Sequence, residues 1–303
     1  MLTGAGYIGA ALLRQLDDRP VVVLENFFCT PREAVAAALP PEATLVEGDV
    51  ANPDDVARAF DALPDNGPLT VYHLAAQPSA SIAAREPAVT ERSNLVGARV
   101  VLEAARERGA RVVFGGSFRV YGDDLAGSVD EATPYGRVGD LSHLSKMYVE
   151  QLARMLGVSF VSVRLGVTYG LSPIMKATPS FMTVPNLFCQ RAIRGEPLKV
   201  LEDRPMAFIH VDDAAAALIA AANLAESGWH VVNAAPEVAT IGDVARTVQR
   251  LASARGKQVR IDGPAATEAR FDVRSNLRIE PQHTLASGLV DVLDYFDRLQ
   301  AQR

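Results

Sequence analysis

The feature that most constrains the fold is the glycine pattern Gly4-Ala5-Gly6-Tyr7-Ile8-Gly9 at the start of the chain. Such a turn joins a buried strand to a helix: the first glycine allows the tight turn, the second lets the backbone approach a pyrophosphate, and the third lets helix and strand pack closely. The first amides of the helix then face the phosphates. We therefore expect Gly4, Gly6, Tyr7, Ile8 and Gly9 to contact a dinucleotide.

The segments that follow alternate between short apolar runs and helical spacing, which predicts βαβ units around a parallel sheet. The runs are apolar on both faces, as in strands covered by helices on each side. The strand before Thr3-Gly4 has only Met1 and Leu2 left, so it is either very short or begins upstream. The predicted strands are Val21–Leu24, Thr44–Val46, Thr70–Leu74, Arg111–Gly115 and Phe160–Leu165, and the predicted helices are Gly9–Leu16, Pro53–Ala62, Val96–Arg108 and Ser142–Leu156.

Beyond Arg164 the pattern changes. The range 166–185 carries three prolines among apolar residues, which indicates a loop and lid. Later segments predict helices at Val184–Gly195, Asp212–Ala225, Ile241–Arg255 and Leu285–Leu299, with strands at Phe208–Val211 and His230–Asn233. We predict a Rossmann lobe over 1–165 to which 206–235 returns, and a smaller substrate-binding lobe over 166–205 and 236–303, with the site in the cleft between them.

Composition excludes several classes of protein. The net charge of −6 with dispersed Lys and Arg leaves no basic face for a nucleic acid. The longest apolar run, 214–222, is far shorter than the ~20 residues of a membrane span. Two isolated cysteines, Cys29 and Cys189, favour free thiols in a reducing compartment. We expect a cytoplasmic protein that binds neither nucleic acid nor membrane, and no metal site.

Side chains after the second and third strands predict how the adenosine is held. Glu25 stands where a carboxylate accepts hydrogen bonds from the ribose hydroxyls, and because it repels a 2′-phosphate it favours NAD over NADP. Arg32 would offset this preference if it reached the phosphate. Asp49 is placed to accept from the adenine amino group while Val50 packs on the ring, although Asp49 is equally compatible with a simple Asx turn.

Motifs along nearly the whole chain occur in the order and spacing of the extended short-chain dehydrogenase/reductase family, which the chain resembles. They are Thr3–Gly9, Glu25-Asn26, Gly48-Asp49-Val50, His73-Leu74-Ala75-Ala76, Asn94-Leu95-Val96-Gly97, Ser117 with Val120-Tyr121-Gly122, Ser145-Lys146, Gly195-Glu196-Pro197-Leu198 and Phe208–Asp213. The resemblance implies an α/β Rossmann fold, a doubly wound parallel sheet with a smaller C-terminal lobe. It implies bound NADH or NADPH contacted also by Leu74, Ala75, Ala76 and Asn94. It further implies a monomer or a homodimer formed through Val96–Arg108 and Ser142–Leu156.

The same resemblance assigns the catalytic positions. Ser117 matches the serine that hydrogen-bonds the substrate carbonyl, and Lys146 matches the lysine that holds the nicotinamide ribose. Ser142 stands where the family has the tyrosine that donates a proton. A serine hydroxyl is several units less acidic than a phenol of pKa about 10, so Ser142 donates a hydrogen bond but is a poor proton source. His143 is a weaker candidate acid, because on a helix it points about 100° away from Ser142.

Two further departures concern the substrate. Met206-Ala207 occupies the place where relatives acting on sugar nucleotides carry Arg-Asp, so a diphosphate would lose a charge-assisted contact. The lid is rich in large apolar residues. These features favour a flat, apolar ketone, as in the atypical ketoreductases of aromatic-polyketide (angucyclinone) antibiotic biosynthesis that also lack the tyrosine. A peri hydroxyl on such a ketone would stabilise the alkoxide internally.

Two alternatives stay open. Most members of the extended family act on nucleotide-linked sugars, so the chain is alternatively an epimerase, dehydratase or 4-ketoreductase of that class. A protein without its acid is alternatively a non-catalytic NAD(P)-binding sensor. The principal interpretation is that the chain is an NAD(P)H-dependent ketoreductase that acts on a small apolar ketone.

Overall fold

A computed structural model of the chain describes residues 1–16, 20–64, 67–137, 139–176, 178–265, 267–268 and 271–302. The strands are β1 (Leu2–Thr3), β2 (Val22–Glu25), β3 (Thr44–Glu47), β4 (Thr70–His73), β5 (Arg111–Ser117), β6 (Gly127–Val129), β7 (Phe160–Leu165), β8 (Val167–Tyr169), β9 (Leu198–Lys199), β10 (Pro205–His210), β11 (Trp229–Ala234), β12 (Glu237–Thr240), β13 (Ile261–Asp262) and β14 (Phe271–Val273). The α-helices are α1 (Tyr7–Gln15), α2 (Arg32–Ala38), α3 (Pro53–Asp61), α4 (Ala80–Arg85), α5 (Pro87–Thr90), α6 (Gly97–Glu107), α7 (Leu141–Leu156), α8 (Val184–Ile193), α9 (Val211–Ala222), α10 (Ile241–Ser253) and α11 (Leu285–Ala301).

Seven parallel strands form the main sheet in the order β11-β7-β5-β4-β1-β2-β3. Strand order reverses between β1 and β4, so a crevice opens at the carboxyl ends of these two strands, where doubly wound sheets bind ligands. Although β1 has only two residues, it pairs with both β2 and β4. The predicted Rossmann fold is confirmed.

Helices cover both faces of this sheet. On one face α1 and α9 bury apolar side chains with β2, β5 and β7, and on the other face α3, α6 and α7 do the same. Because both faces of the sheet are buried, the strands carry apolar residues at consecutive positions in the sequence. No helix in the described ranges combines the length and apolar character that crossing a membrane requires.

The remaining elements form a second core. Helices α8, α10 and α11 pack together with β10 beneath them, and β10 pairs with β8 and β12 in a three-stranded sheet. Within the range 206–235, α9 and β11 lie on the seven-stranded sheet, whereas β10 belongs to the three-stranded one. The division of the chain into two lobes stays a prediction.

The sequence predicted a loop and lid over the range 166–185, but this range is not loop alone. It contains β8, which pairs in parallel with β10 from Val167 to Tyr169. Gly166 permits the approach, because a Cβ there would lie 2.8 Å from the carbonyl oxygen of Ala207. A strand of three residues is too short to show a periodicity in the sequence, so this element was missed.

A buried ion pair fixes α7 against the sheet. Glu150 of α7 is fully buried and accepts from Arg164 of β7, with Nη2–Oε2 at 2.7 Å and Nε–Oε1 at 3.1 Å. Ser162 and Tyr135 donate to the same carboxylate, each at 2.7 Å. The Nη1 atom of Arg164 donates to Tyr121 Oη at 2.6 Å. Because every oxygen and nitrogen of the pair has a partner, the charges are tolerated in the interior.

We expect Arg164→Met to lower the free energy of unfolding by about 3–5 kcal/mol, because it leaves the Glu150 carboxylate buried without its counter-ion. Urea denaturation followed by circular dichroism measures the change. The matched control is Glu103→Gln, which breaks the exposed Arg99–Glu103 pair of α6 and should change stability by less than about 1 kcal/mol. Equal effects of the two variants would contradict this assignment.

Candidate functional site

One large cavity of 780 Å³ opens at the carboxyl ends of β1, β4 and β5. Its volume lies within the range of cofactor pockets, about 300–1,000 Å³. The structure brings most of the predicted site residues to its wall: Gly4, Gly6, Tyr7, Ile8, Gly9, Glu25, Asp49, Val50, Leu74, Ala75, Ala76, Ser117, Ser142 and Lys146. Arg32 and Asn94 are the two predicted residues that do not line it.

The glycine turn has the geometry that a phosphate cradle needs. Gly4 has φ +84°, and a Cβ there would lie 2.6 Å from the amide nitrogen of Ala75. A Cβ on Gly9 would lie 2.2 Å from the carbonyl oxygen of Gly4. Both positions therefore require glycine. The space beside Gly6 is open apart from Thr30, and the N-terminus of α1 follows directly, so the turn fits a dinucleotide pyrophosphate.

Glu25 ends β2 and is buried beside the turn. Its Oε2 accepts from the amide of Ala5 at 2.8 Å, and its Oε1 accepts from the amides of Asn26 and Phe27 at 3.0 and 2.9 Å. These bonds hold the carboxylate at the edge of the cavity, and carboxylate oxygens have lone pairs left for further donors. The arrangement fits the predicted ribose contact.

Arg32 lies outside the cavity because two neighbours hold it elsewhere. Its guanidinium pairs with Glu47 of β3 and lies 4.3 Å above the ring of Phe27. In this position it does not offset the repulsion between Glu25 and a 2′-phosphate. The site therefore fits NAD(H) better than NADP(H).

Asp49 has partners that the sequence did not predict. Its carboxylate accepts from Arg92 Nη2 at 2.9 Å and from the amide of Ala51 at 2.8 Å. The bond to Ala51 is an Asx turn, the alternative that the residues alone left open. Arg92, Asp49 and Val50 all line the cavity, so this end of the cavity presents a paired arginine as well as an apolar side chain.

Asn94 stands behind the cavity wall and joins two of its parts. Its Oδ1 accepts from the amide of Gln77 at 2.7 Å, and its Nδ2 donates to the Gln77 carbonyl and to Ser145 Oγ, both at 3.0 Å. It belongs to a π-helical turn, Glu91–Val96, that precedes α6. Such turns are frequent at functional sites. Asn94 therefore connects the loop after β4 to α7 and positions the residues that line the cavity.

The two α7 residues that the resemblance singled out are both in place. Lys146 Nζ donates to the carbonyl of Gly115 at 2.8 Å and lies 4.6 Å above the Phe114 ring. Burial lowers the pKa of Lys146 to about 8, against the raising effect of Glu150. Ser142, one turn earlier, is buried, and within the described residues its hydroxyl makes no hydrogen bond. It is therefore available to a substrate.

Ser117 ends β5 and begins a 3-10 turn, Phe118–Tyr121. Its Oγ accepts from the amide of Arg119 at 3.3 Å, which leaves the hydroxyl proton for an acceptor in the cavity. The structure thus brings Ser117, Ser142 and Lys146 to one wall, as the resemblance implied.

His143 also lines the cavity, although the sequence favoured it less. Asp140 caps α7 by accepting from the amide of His143 at 3.0 Å, and the same carboxylate contacts His143 Nδ1 at 2.7 and 2.9 Å. Burial raises the pKa of Asp140, but the bonds from His143 outweigh this effect and the net pKa is lowered. The angle between Ser142 and His143 on the helix does not keep either side chain out of the cavity.

Lys176 is a cavity residue that sequence reasoning missed. It follows β8 in the lid and lies 5.4 Å from the centre of the Tyr7 ring. Burial lowers its pKa to about 8, against the raising effect of Cys29. No carboxylate of the described residues pairs with it. A single lysine in an otherwise apolar stretch was the available signal.

Part of the cavity wall is apolar. Its apolar side chains include Leu125, Phe181, Met206 and Phe271. Arg204 lies two residues before Met206 on the same chain segment, and its guanidinium pairs with Asp123 at 2.6 Å instead of lining the cavity. Arg119 donates to the same carboxylate at 2.9 Å. The cavity wall therefore offers hydrophobic surface as well as one partly neutralised arginine, Arg119.

A second polar cluster lies outside the cavity, at His210, Asp213 and His283. His210 Nε2 and His283 Nδ1 are buried without a hydrogen-bond partner. The two rings stack with centroids 3.8 Å apart and planes 20° apart. Because imidazole lone pairs lie in the ring plane, two stacked rings do not converge on one ion. This geometry argues against a metal at these residues.

Comparison with known proteins agrees with this geometry. The sequence profile of the NAD-dependent epimerase/dehydratase family matches residues 1–235. UDP-glucose 4-epimerase of Erwinia amylovora is 33% identical over half of this chain, and the aligned part covers 46% of that protein. UDP-glucose 4-epimerase of Azospirillum brasilense is 27% identical across 95% of this chain and 88% of its own length.

Solved structures share the fold. UDP-glucose 4-epimerase of Thermus thermophilus, solved with NAD, is 26% identical with a TM-score of 0.78, and 97% of each chain is covered. The Thermotoga maritima UDP-glucose 4-epimerase, solved with UDP-glucose, reaches a TM-score of 0.82 at 23% identity, covering 99% of this chain and 98% of that one. With the profile matching most of the chain and the glycine turn, Glu25 and Lys146 around one cavity, the protein belongs to the NAD-dependent epimerase/dehydratase family of enzymes.

Proposed function

We propose that this chain is an NAD(H)-dependent enzyme that oxidises or reduces a secondary alcohol or ketone carbon of a nucleotide-linked sugar. The observation that carries the proposal is the single cavity that joins the glycine turn to Ser117, Ser142 and Lys146. The relatives that cover most of this chain act on UDP-sugars, and this supports the substrate class over the apolar ketone that the sequence favoured.

The dinucleotide, when bound, supplies or accepts the hydride at its nicotinamide ring. The residues of this chain do the rest. The amides at the start of α1 would hold the pyrophosphate, Glu25 would accept from the adenosine ribose, and Lys146 would hold the second ribose. Ser117 donates to the substrate oxygen, because its hydroxyl proton is not used within the described residues. Preorganised donors of this kind stabilise the charge that develops on that oxygen.

One observation favours a second candidate, reduction of an apolar ketone. Met206 stands where sugar-nucleotide enzymes of the extended family carry arginine, and it lines the cavity together with apolar side chains, Phe181 and Phe271 among them. An aromatic-polyketide ketone would fit such a wall. The two candidates require different side chains at position 206: a diphosphate favours a guanidinium, whereas an apolar ketone favours methionine. A substitution of Met206 therefore separates them.

We expect Met206→Arg to lower the Kd for a UDP-sugar about tenfold, because a guanidinium adds a charge-assisted contact to a diphosphate. Thermal shift with NADH present, across UDP-glucose, UDP-glucuronate and hydroxylated aromatic ketones, selects the ligand, and calorimetry measures the Kd. Leu201→Arg is the control, since Leu201 is largely exposed and does not line the cavity.

The opposite result identifies the second candidate. The sugar-nucleotide proposal is wrong if an aromatic ketone raises the melting temperature and no UDP-sugar does. In that case Met206→Arg should also raise the Kd for the ketone. If wild-type protein gives no fluorescence change on titration with NADH, both candidates are wrong.

We expect Lys176→Met to raise the Kd for NADH about tenfold, which is ~1.4 kcal/mol, because the buried ammonium faces the pyrophosphate position. The affinity of the wild type should also fall as pH rises through about 8, since Lys176 loses its charge there. Lys176→Arg should keep more affinity at high pH, because arginine stays charged. Fluorescence titration measures both effects.

The exposed Lys199 supplies the control for this series. Lys199→Met should leave the Kd for NADH unchanged at every pH. Unchanged affinity in Lys176→Met would show that the pyrophosphate is held without this lysine.

The helix α7 also presents an apolar stripe to solvent, which supports the predicted homodimer. Leu144, Tyr148 and Met155 are 50%, 37% and 84% exposed, and their spacing of four and seven residues places them on one face. A second copy of this chain, presenting the same face, would cover them.

We expect Tyr148→Arg with Met155→Arg to halve the mass measured by sedimentation, because two buried charges would oppose association. Leu201→Arg, at a residue 92% exposed elsewhere, should leave the mass unchanged. A wild type that sediments as a monomer at high concentration would rule out the dimer.

A further inference from the structure

We infer that His143, held by Asp140, moves the proton to and from the substrate oxygen in place of the missing tyrosine. The inference rests on the proposed redox function and assigns a catalytic residue to it. The family position for that proton donor is Ser142, which is chemically unsuited to the task.

The first support is the geometry of the dyad. Asp140 contacts His143 Nδ1 at 2.7 Å, so Nδ1 carries the proton of that bond when the ring is neutral. Nε2 then has the free lone pair, and it makes no hydrogen bond within the described residues. His143 lines the cavity and exposes 18% of its side chain. The ring is therefore fixed at one nitrogen and open at the other.

The second support is its neighbourhood. Lys146 follows His143 by three residues, so the two side chains are adjacent on the surface of α7. Ser117 and Ser142 line the same cavity. The charged groups around the dyad are Lys146 on α7 and Arg119 and Asp123 on the segment after β5, with Arg119 acting on Asp140.

The proton balance follows from this arrangement. In reduction, the carbonyl carbon accepts the hydride of the reduced dinucleotide, and the carbonyl oxygen takes the proton of an Nε2–H, so C=O becomes C–OH and the imidazolium becomes neutral. Water returns that proton. In oxidation, neutral Nε2 would take the hydroxyl proton as the hydride leaves the alcohol carbon for the oxidised dinucleotide, so that C–OH becomes C=O. Asp140 stays ionised in both directions and orients the ring as a positioning residue.

The test compares His143→Gln, Asp140→Asn and Ser142→Ala in the NADH-bound protein, with the ligand selected by the thermal-shift panel as substrate. His143→Gln should lower the single-turnover rate of hydride transfer about 10²–10⁴-fold and leave the Kd for NADH within about twofold. Asp140→Asn should lower the rate less than His143→Gln does, because the imidazole is still present but loses the carboxylate that orients it. Ser142→Ala should change the rate less than tenfold.

The control is His230→Gln, because His230 does not line the cavity and its ring forms a hydrogen bond with the Ser227 carbonyl instead, and this variant should keep the rate. Nitrogen-detected NMR of the imidazoles gives a readout besides activity: His143 should be Nδ1-protonated in the wild type and a tautomer mixture in Asp140→Asn.

A rate in His143→Gln within about threefold of wild type overturns the inference, as does a thousand-fold loss in Ser142→Ala with His143→Gln unaffected. If no substrate of either class binds, the proposed function fails instead. The NMR tautomer then decides the dyad separately: a His143 protonated at Nε2 in the wild type overturns it.

Discussion

The site depends on the buried contact between Glu150 and Arg164. This pair, with Ser162, Tyr135 and Tyr121, ties α7 to the strands beneath it. One turn earlier the same helix carries Lys146, and its first turns carry Ser142 and His143. Because helical residues keep fixed angular relations, fixing α7 at Glu150 also sets the direction in which Ser142, His143 and Lys146 face the cavity. The buried ion pair therefore fixes the position of α7 relative to the sheet, as well as affecting stability.

A second constraint acts on α7 from the loop after β4. Asn94 reaches both the loop after β4 and Ser145, so the cofactor wall and α7 share one buried amide. The π-helical turn that carries Asn94 gives this side chain its direction. Two buried polar contacts therefore fix α7, one to β7 and one to the loop after β4, and the apolar layers supply the bulk of the remaining packing.

Long elements were predictable from the sequence because burial repeats along them. The helix predicted at Ser142–Leu156 is α7, and Phe160–Leu165 is β7. Isolated residues carry no such repeat. Nothing periodic marks Lys176 as a cavity residue, shows that Arg92 pairs with Asp49, or places Asn94 behind the wall. His143 was undervalued because a helical angle describes two side chains relative to each other and not the width of the cavity they face.

The position of Arg32 affects the preference of this fold for NAD over NADP. It is held away from the adenosine end by Glu47, an exposed residue of the neighbouring edge strand, and by Phe27. Exposed ion pairs contribute only about 0–1 kcal/mol. A change at Glu47 would therefore leave this guanidinium held only loosely, by the Phe27 ring, and would disturb the sheet little. The choice between phosphorylated and unphosphorylated dinucleotide is evolutionarily labile in such a chain, even though the glycine turn beneath it is not.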